Sequence, residues 1–443
     1  MPQPSQSNST LRAAVYSAAY KRYVTLLMLV VYVLNQTDRA IFGFLMEPIK
    51  RELELSDSQL GFLAGPALVL FYATVGIPIA RFADRSNRVN IIATAVAMWS
   101  VVVTLSAAVA SWGQLALARV AVGIGEAGFS AIAQSLLSDY HSSTERTRAL
   151  SIFMLAIPMG SVVSSLMGGW LNEVYGWRAA FVFAGVPGIL ASLLVKLSVR
   201  EPRSAHTVTT ASNTPQPRLR TVFATLWRCK ALRHLAIGMA LINMVCASFL
   251  TWAPTFFVRS HGMTTGELGT WLAVAIAGGG SLGTWLGGHL VSRYGAADVR
   301  VQARLLAIGA ALVTPLLAAV LMWPSKRVAL SLLLPAYALM FFSFGPSFSL
   351  VQGLVPAHVR ATITAIVILG QSLFAGVFGL QLVGVMSDAF SRASAADSLQ
   401  WALFVVSLAG IWAGSHFWLS ARSIRRDFAD ASDGDQPRLE TIA

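Results

Sequence analysis

Three ionisable side chains interrupt two long apolar stretches of the chain. Arg119 and Glu126 lie inside the apolar run Leu115–Leu137, and Asp38 lies inside an earlier run. A charged group at the centre of a bilayer costs at least about 2.5 kcal/mol, and groups kept there mark ion pathways and proton relays. Because two helical turns separate Arg119 from Glu126, they share nearly the same helix face, roughly 10 Å apart along the axis. The pattern predicts a transport function.

The depths of these three groups predict how they interact. Counting from the span ends places Asp38 and Arg119 at similar depths in the outer half of the membrane, with Glu126 near the middle. An arginine between two carboxylates can pair with whichever one is ionised. We therefore predict a proton relay formed by Asp38, Arg119 and Glu126. A permanent structural pair between Asp38 and Arg119 is the alternative.

The composition indicates that lipid is the main solvent of this chain. Of its 443 residues, 55% are hydrophobic and only 12% are charged, and the mean hydropathy is +0.63. Soluble domains carry about 25% charged residues. The two cysteines, Cys229 and Cys246, have no metal-ligand spacing. We expect no metal site, no cofactor and no redox chemistry.

The elements that must hold these residues are predicted transmembrane helices. The chain contains twelve apolar segments of spanning length. They lie near 23–45, 58–80, 90–110, 114–138, 149–171, 177–199, 232–258, 267–291, 301–323, 328–352, 361–386 and 399–421. We therefore expect an all-α integral membrane protein of twelve transmembrane helices.

The distribution of positive charge predicts the topology. Most of the 33 Lys and Arg residues fall in the segments that share a side with the N-terminus. By the positive-inside rule both termini are cytoplasmic. The net charge of +13 is thus explained by topology, and we expect no nucleic-acid partner. We expect a multi-pass protein of the cell membrane, the inner membrane of a bacterium.

Polar segments divide the chain into two halves. Residues 200–218 are rich in Ser, Thr, Pro and Gln and are typical of a flexible linker. Residues 219–230 place apolar side chains at helical spacing between basic ones, which predicts an interfacial helix; an extension of span 7 is the alternative. The predicted boundaries are an N-terminal cytoplasmic segment 1–22, a bundle 23–199, a linker 200–231, a bundle 232–421 and a cytoplasmic tail 422–443.

Two short loops on the inner side carry opposite charges. The loop after span 2 contains acidic and basic residues, and the loop after span 4 does as well. Such loops can form a latch that closes the cytoplasmic side; a simple positive-inside anchor is the alternative. The predicted cytoplasmic gate consists of Asp84, Arg85, Arg88, Glu145, Arg146 and Arg148, with Asp139 beside them.

Candidate residues for a substrate cavity are polar or aromatic side chains within spans. Phe341 and Phe344 lie on one face of span 10, beside a Gly-Pro pair. They could form an apolar substrate wall, or they could pack against lipid or protein. Asn35, Asn243 and Gln371 are the polar candidates.

Several enzyme classes are excluded by the motifs. Gly123-x-Gly125-x-x-Gly128 has the spacing of a dinucleotide fingerprint, but no strand precedes it and Glu126 lies within an apolar helix. The glycines are better explained by close helix packing. The sequence has no Walker loop, no His-Glu-x-x-His and no Gly-x-Ser-x-Gly. We do not expect an enzyme.

The motifs as a set resemble the major facilitator superfamily over nearly the whole chain. Arg119-x-x-x-Gly123-x-Gly125 is similar to the fourth-span motif that this superfamily associates with proton coupling. Asp84-Arg85-x-x-Arg88 resembles its loop motif between spans 2 and 3, although Asn87 stands where glycine is usual. The resemblance implies two six-helix bundles, each with inverted three-helix repeats, and transport by rocking around a central cavity.

Within the superfamily the chain looks most like the spinster-like branch. The resemblance rests on Asn35-Gln-Thr-Asp38-Arg39, on Gly125-Glu126-Ala127 and on the segment 149–160. It implies that Asp38, Arg119 and Glu126 form the proton relay, and that the substrate is an amphipath such as a lysophospholipid or sphingolipid. The anion:cation symporters of organic and sugar acids are similar in spans 1 and 4.

These observations predict a proton-coupled secondary transporter of a small organic or amphipathic solute, working by alternating access as a monomer. A proton symporter of organic anions or sugar acids is the alternative. A sensor that binds solute without moving it is an alternative of a different class.

Overall fold

The computed structural model of this chain describes residues 16–84, 86–202, 226–295, 298–355, 357–392 and 397–433. Within these ranges the chain is built from helices and short connections, and no strand occurs. The α-helices, in chain order, are α1 Ala18–Leu53, α2 Asp57–Ala64, α3 Pro66–Asp84, α4 Arg88–Leu105, α5 Trp112–Glu126, α6 Phe129–Tyr140, α7 Ser143–Met154, α8 Ala156–Ser198, α9 Lys230–His261, α10 Thr265–Val274, α11 Ser281–Gly295, α12 Val299–Met322, α13 Lys326–Phe342, α14 Phe344–Gly353, α15 Ala357–Leu373, α16 Leu380–Ser391, α17 Ser398–Ser407 and α18 Ala409–Asp433.

Three short pieces of other helix types join neighbouring α-helices. A 3₁₀ turn, Ser106–Ala108, follows α4, and π-helical turns at Ala275–Gly280 and Phe374–Gly379 lie within spans 8 and 11. Such π turns arise where the regular hydrogen-bond ladder gains a residue, and they change the direction of a span without ending it.

The prediction of twelve transmembrane helices is confirmed within the described residues. Ten helical stretches there are long and apolar enough to cross a membrane. The longest, Thr144–Ser198, holds two spans, because Gly176 has φ 81° and breaks α8 near its middle. The stretch from α10 through α11, residues 265–295, supplies the twelfth span.

Polar residues at the span ends determine where several helices begin. The Ser17 hydroxyl accepts a hydrogen bond from the Tyr20 amide at the start of α1, and Asn87 caps α4 in the same way. Ser56 and Gln59 form a reciprocal capping box at α2. A buried helix start has backbone N–H groups without intrahelical partners, and these side chains satisfy them.

Prolines inside the spans do not all break their helices. Breaks occur at Leu155, shortly before Pro158, and at Ser343, shortly before the Gly345-Pro346 pair. Pro254 does not break its helix, since α9 is continuous through that residue. A proline removes one backbone donor but leaves the helix unbroken where packing holds the neighbouring turns.

Contacts between Cα atoms group the chain into two compact units. The units follow the two halves of the sequence except at two short exchanged segments. Ser56–Gly65 belongs to the second unit, and Met263–Ala273 belongs to the first. The exchanged segments are the outer ends of spans 2 and 8 in the predicted topology.

The second unit holds the segment Ser56–Gly65 through charged and polar contacts. Asp57 accepts two hydrogen bonds from the guanidinium of Arg259, each 2.8 Å long, and a third from the Ser387 hydroxyl at 2.6 Å. Asp388 accepts hydrogen bonds from the backbone amides of Asp57 and Ser58. A bidentate arginine–carboxylate pair has a fixed geometry, so these contacts determine where α2 lies within the unit.

The first unit holds the segment Met263–Ala273 against α8. Thr265 donates a hydrogen bond to the carbonyl oxygen of Gly169 at 2.9 Å, and the Gly266 amide donates to Glu173 at 2.6 Å. A Cβ atom on Gly169 would lie 2.5 Å from the Thr265 oxygen. Glycine is therefore required at this close approach of two helices.

The glycine stripe of span 8 packs against α13 in the second unit. A Cβ atom on Gly279, Gly283 or Gly287 would lie 2.0–2.4 Å from a backbone oxygen of Leu334, Ala338 or Phe342 respectively. Small residues allow helix backbones to approach closely where lipid supplies no hydrophobic driving force. Close helix packing therefore explains the three glycines.

Most of the predicted interfacial helix and the end of the predicted tail lie outside the described residues. Residues 203–225 and 434–443 are not among them. The helix of the last span continues beyond residue 421, since α18 ends at Asp433.

Candidate functional site

Glu126 lies at a break in the fourth span. It is the last residue of α5, and Gly128, with φ 78°, connects it to α6. Only glycine adopts this backbone conformation without strain. A discontinuous helix near the middle of a membrane span frees backbone groups and places functional side chains in the interior of transporters. The break thus holds the Glu126 carboxyl group inside the first unit, where it is 1% exposed.

The direct partner of Glu126 is Arg39. Its Nε donates a hydrogen bond to Oε2 of Glu126 at 2.5 Å. The Glu126 side chain is fully buried and that of Arg39 is 30% exposed. The guanidinium of Arg39 also lies 4.4 Å from the centre of the Tyr72 ring, a cation–π contact that adds to its attraction to the carboxylate.

Asp38 lies beside this pair but has no hydrogen-bond partner among the described residues. Both of its carboxyl oxygens are buried and unpaired, as are Oε1 of Glu126, Nδ2 of Asn35 and Nε1 of Trp99. An ionised carboxylate buried without a donor carries a large desolvation cost. Within the described residues the surroundings of Asp38 thus differ from those of Glu126, which contacts a guanidinium group directly.

Arg119 lies close to both carboxyl groups. It is 3% exposed, and its guanidinium lies 4.5 Å from the centre of the Phe42 ring. Asp38 and Glu126 both act on it electrostatically. Arg119 is the second cation of the cluster and the more deeply buried one. The structure brings all three predicted relay residues together, with Arg39 as a fourth member.

Close packing supports the position of these groups. A Cβ atom on Gly123 would lie 2.4 Å from the Leu68 carbonyl oxygen, and one on Gly125 would lie 3.0 Å from Trp99. The two glycines therefore allow α5 to approach α3 and α4, and this approach determines the depth of Arg119 and Glu126 in the unit. The packing explanation of these glycines is confirmed.

Two of the predicted gate residues make ion pairs in the first unit. Arg88 is 1% exposed, and it pairs with Asp139 at 2.8 Å and with Glu201 at 2.5 Å. Glu145 pairs with Lys21 at 3.3 Å. Arg146 and Arg148 are exposed. Arg85 lies outside the described residues, as does the side chain of Asp84.

The predicted cavity residues fall in both units. Asn35 is buried in the first unit near the carboxyl cluster. In the second unit Asn243 donates a hydrogen bond to the Gln371 carbonyl oxygen at 3.2 Å, and the Phe341 and Phe344 rings lie 6.4 Å apart. The structure thus brings together two pairs of these five residues.

Sequence reasoning missed two partners of the charged groups. Arg39 follows Asp38 directly within an apolar run, and its position there was a signal that it also needs a buried partner. Glu201 lies just after span 6. Its role as a partner could not be predicted, because a charged residue at the end of a span is ordinary.

Comparisons with known proteins bear on the family and the fold of this chain. A sequence model of the Major Facilitator Superfamily matches residues 28–380. An MFS-type efflux pump of Mycolicibacterium smegmatis is 31% identical over 398 residues, which are 90% of this chain and 92% of that protein. Protein spinster homolog 1 of Xenopus laevis is 26% identical over 463 residues, covering 96% of this chain and 86% of that protein.

A solved structure is similar over nearly its whole length. It is the crystal structure of a bacterial homolog to the human lysosomal transporter spinster, in an inward-facing and unoccupied conformation. The match has a TM-score of 0.85 and 27% sequence identity, and it covers 93% of this chain and 99% of that one. The likeness confirms the predicted fold of two six-helix bundles with inverted repeats.

Proposed function

Since this chain belongs to the Major Facilitator Superfamily, in its spinster-like branch, we propose that it is a proton-coupled secondary transporter of an amphipathic organic solute. The family makes it a transporter rather than an enzyme. Proton coupling is the finer proposal, and the observation that carries it is the unpaired, buried carboxyl group of Asp38 beside the Arg39–Glu126 ion pair.

Asp38 is the proton-binding group in this proposal. We propose that the proton binds this carboxyl group because its two buried oxygens form no geometric hydrogen bond with a described residue. When the proton leaves, the new negative charge attracts the nearest buried cations. Arg119 and Arg39 are both within electrostatic reach of the cluster, and a shift of either toward Asp38 changes the packing of α1 against α5.

Glu126 is the second member of the relay. As an anion it retains Arg39, and as a neutral acid it releases that arginine to Asp38. The two carboxyl groups thus compete for the same cations, and the protonation of one favours the ionisation of the other. A proton can shift the populations of two conformations only if its affinity differs between them, and this exchange of partners supplies such a difference.

The branch supports the proposed substrate class. The spinster-like resemblance implies amphipaths such as lysophospholipids and sphingolipids, and the name of the mycobacterial relative indicates that it exports its solute. We propose that Asn35, Asn243, Phe341, Phe344 and Gln371 contact the substrate during the transport cycle. An organic-anion or sugar-acid symporter is a second candidate, because the guanidinium groups of Arg39 and Arg119 can also bind a carboxylate.

The orientation and the gate are also proposals. The charge distribution supports cytoplasmic termini in the inner membrane of a bacterium. We propose that Asp84, Arg85 and Arg88 act with Asp139, Glu145, Arg146 and Arg148 in closing the cytoplasmic side. The Arg88–Asp139 ion pair supports this role, since it joins two of the charged loop regions within the first unit.

Uptake of labelled solutes into proteoliposomes tests the proposal. A panel of lysophospholipids, sugar acids and aromatic acids is presented with and without an imposed pH gradient. We expect the gradient to drive accumulation of an amphipath, and to have no effect in Glu126→Gln. Gradient-driven accumulation of a sugar acid alone identifies the symporter. Binding of a solute that is never accumulated or exchanged identifies the sensor and contradicts the proposal.

A further inference from the structure

A charged cavity lies in the first unit, where α1 and α7 begin. Its volume is about 470 Å³. The polar part of its lining contains three cationic side chains, a histidine and one carboxylate, and the apolar part contains aliphatic side chains. The lining residues that carry the argument are Lys21, Arg22, Leu26, His141, Arg148 and Ile152.

The charges of this cavity leave two arginines available to a ligand. Lys21 pairs with Glu145 at 3.3 Å, so these two charges cancel. Arg22 and Arg148 are exposed and make no hydrogen bond or ion pair with any described residue. Two guanidinium groups on one cavity favour a phosphate, which each can bind with a pair of parallel hydrogen bonds.

His141 adds a polar wall without adding charge at neutral pH. Its Nε2 lies 2.9 Å from the Thr25 hydroxyl, and burial lowers the pKa of the imidazole below its ordinary value. The charged groups that face it are Glu145, whose carboxylate lies 3.9 Å from Nδ1, and Lys21. The net charge of the cavity at neutral pH therefore comes from the two arginines.

The apolar wall indicates that the ligand has a hydrocarbon part. Leu26 is 54% exposed and follows the charged residues Lys21 and Arg22 by about one turn of α1. Ile152 lies one turn beyond Arg148 on α7. Both helices thus present charge just before a predicted span begins and aliphatic surface just inside it. This is the order of headgroup and acyl chain in a lipid leaflet.

We propose that this cavity binds the phosphate headgroup of an anionic phospholipid from the surrounding bilayer, with its acyl chains along Leu26 and Ile152. Arg22 and Arg148 bind the phosphate, and His141 and Thr25 form the uncharged wall. The site lies on α1 and α7, apart from the Asp38–Glu126 cluster, and it does not depend on which solute is transported.

The test is a titration of delipidated protein in a neutral detergent with acyl-labelled phosphatidylglycerol, followed by fluorescence anisotropy. The double variant Arg22→Gln/Arg148→Gln should bind the lipid roughly thirtyfold more weakly, because each of the two cations near an anionic headgroup contributes about 1 kcal/mol. Arg146→Gln is the matched control: it removes an exposed arginine of the same helix that does not line the cavity, and it should bind like the wild type.

Two outcomes would overturn the proposal. Equal affinity of the double variant and the wild type would show that the arginines do not bind the headgroup. Displacement of the labelled lipid by glycerol phosphate at equal concentration would show that the cavity takes a free phosphate compound. A melting curve for each variant in the same detergent verifies folding. If the lipid-binding proposal fails, the transport proposal is unaffected, since that proposal is tested by the uptake of labelled solutes.

Discussion

The Nε atom of Arg39 lies 2.5 Å from Oε2 of Glu126 in the first unit, and the Glu126 side chain has no solvent exposure. The neighbouring residue, Asp38, has no partner for either carboxyl oxygen among the described residues. Two carboxyl groups of the same cluster thus differ in their surroundings: one is paired with a cation and the other is not. This difference is what a relay requires, since the two groups can exchange roles when a proton moves.

The Arg39–Glu126 pair should show strong coupling in a double-mutant cycle. Arg39→Gln leaves a buried carboxylate unpaired and should lower the free energy of unfolding by about 3 kcal/mol. The double variant Arg39→Gln/Glu126→Gln should recover much of that loss, because no charge is left without a partner. Melting temperatures in detergent measure the effect. Additive losses in the two single variants would mean that the pair does not interact.

Glu126→Gln should fold but lose coupling. The substitution keeps the volume of the side chain and removes its ability to ionise, so Arg39 can no longer exchange between the carboxyl groups of Glu126 and Asp38. We expect solute exchange without a pH gradient to continue, and accumulation driven by the gradient to be lost. Glu54→Gln, at an exposed carboxyl group, is the control and should accumulate solute normally. Full accumulation by Glu126→Gln would assign Glu126 a structural role.

The glycine contacts of span 8 predict a large difference between two neighbouring positions. A Cβ atom on Gly283 would lie 2.0 Å from the Ala338 carbonyl oxygen, whereas one on Gly288 would meet nothing within 4 Å. Gly283→Ala should lower the free energy of unfolding by about 2 kcal/mol. Gly288→Ala should leave it unchanged or raise it slightly, because alanine favours helix. Equal melting temperatures for the two variants would contradict the packing of α11 against α13.

Arg88 should be more important for stability than the other inner arginines. It is buried between Asp139 and Glu201, and Arg88→Gln leaves these carboxylates without their cation. We expect a loss of about 3 kcal/mol. Arg146→Gln, at an exposed arginine, should change the free energy of unfolding by no more than about 0.5 kcal/mol. Similar melting temperatures for both variants would mean that the Arg88 ion pairs do not stabilise the protein more than a solvent-exposed charge does.

The start of α12 should be less stable at acid pH. The Arg425 guanidinium and the Arg300 amide donate hydrogen bonds to Asp298, and they hold the pKa of its carboxyl group below the ordinary value. Because the folded pKa is the lower one, the stabilisation is present above the unfolded value of about 3.9 and is lost as the pH falls through the folded pKa.

Asp298→Asn should therefore lower the melting temperature at neutral pH, and the difference from the wild type should shrink below about pH 4. Melting curves of both proteins over this range measure it. A difference that does not change with pH would mean that the ionised form of Asp298 is not the stabilising one.

Much of the fold could be predicted from the sequence, because a membrane span can be recognised by its length and apolar composition. The span that contains Glu126 was predicted in the correct place, but its break at Gly128 was not, because a glycine in an apolar run is compatible with both a continuous and a broken helix. The exchanged segments Ser56–Gly65 and Met263–Ala273 were also not predictable, since their placement depends on tertiary contacts such as Asp57 with Arg259.

The site was predicted by residue type but not by pairing. Buried charges in an apolar run identify candidates, and Asp38, Arg119 and Glu126 do lie in one cluster. Which cation contacts Glu126 depends on side-chain direction. The spacing of Arg119 and Glu126 shows that they share a face of one helix, but it does not show that Arg39 of another helix contacts Glu126. Depth along the membrane axis alone does not distinguish the faces of two helices.

Proton movement in liposomes with an internal pH-sensitive dye, compared between the wild type and Asp38→Asn, is the most direct test of the account. Asp397→Asn, at an exposed aspartate, is the control. If Asp38 is the proton-binding group, addition of a transported solute should change the internal pH with the wild type and the control, but not with Asp38→Asn. A pH change of normal size and rate with Asp38→Asn would contradict the account.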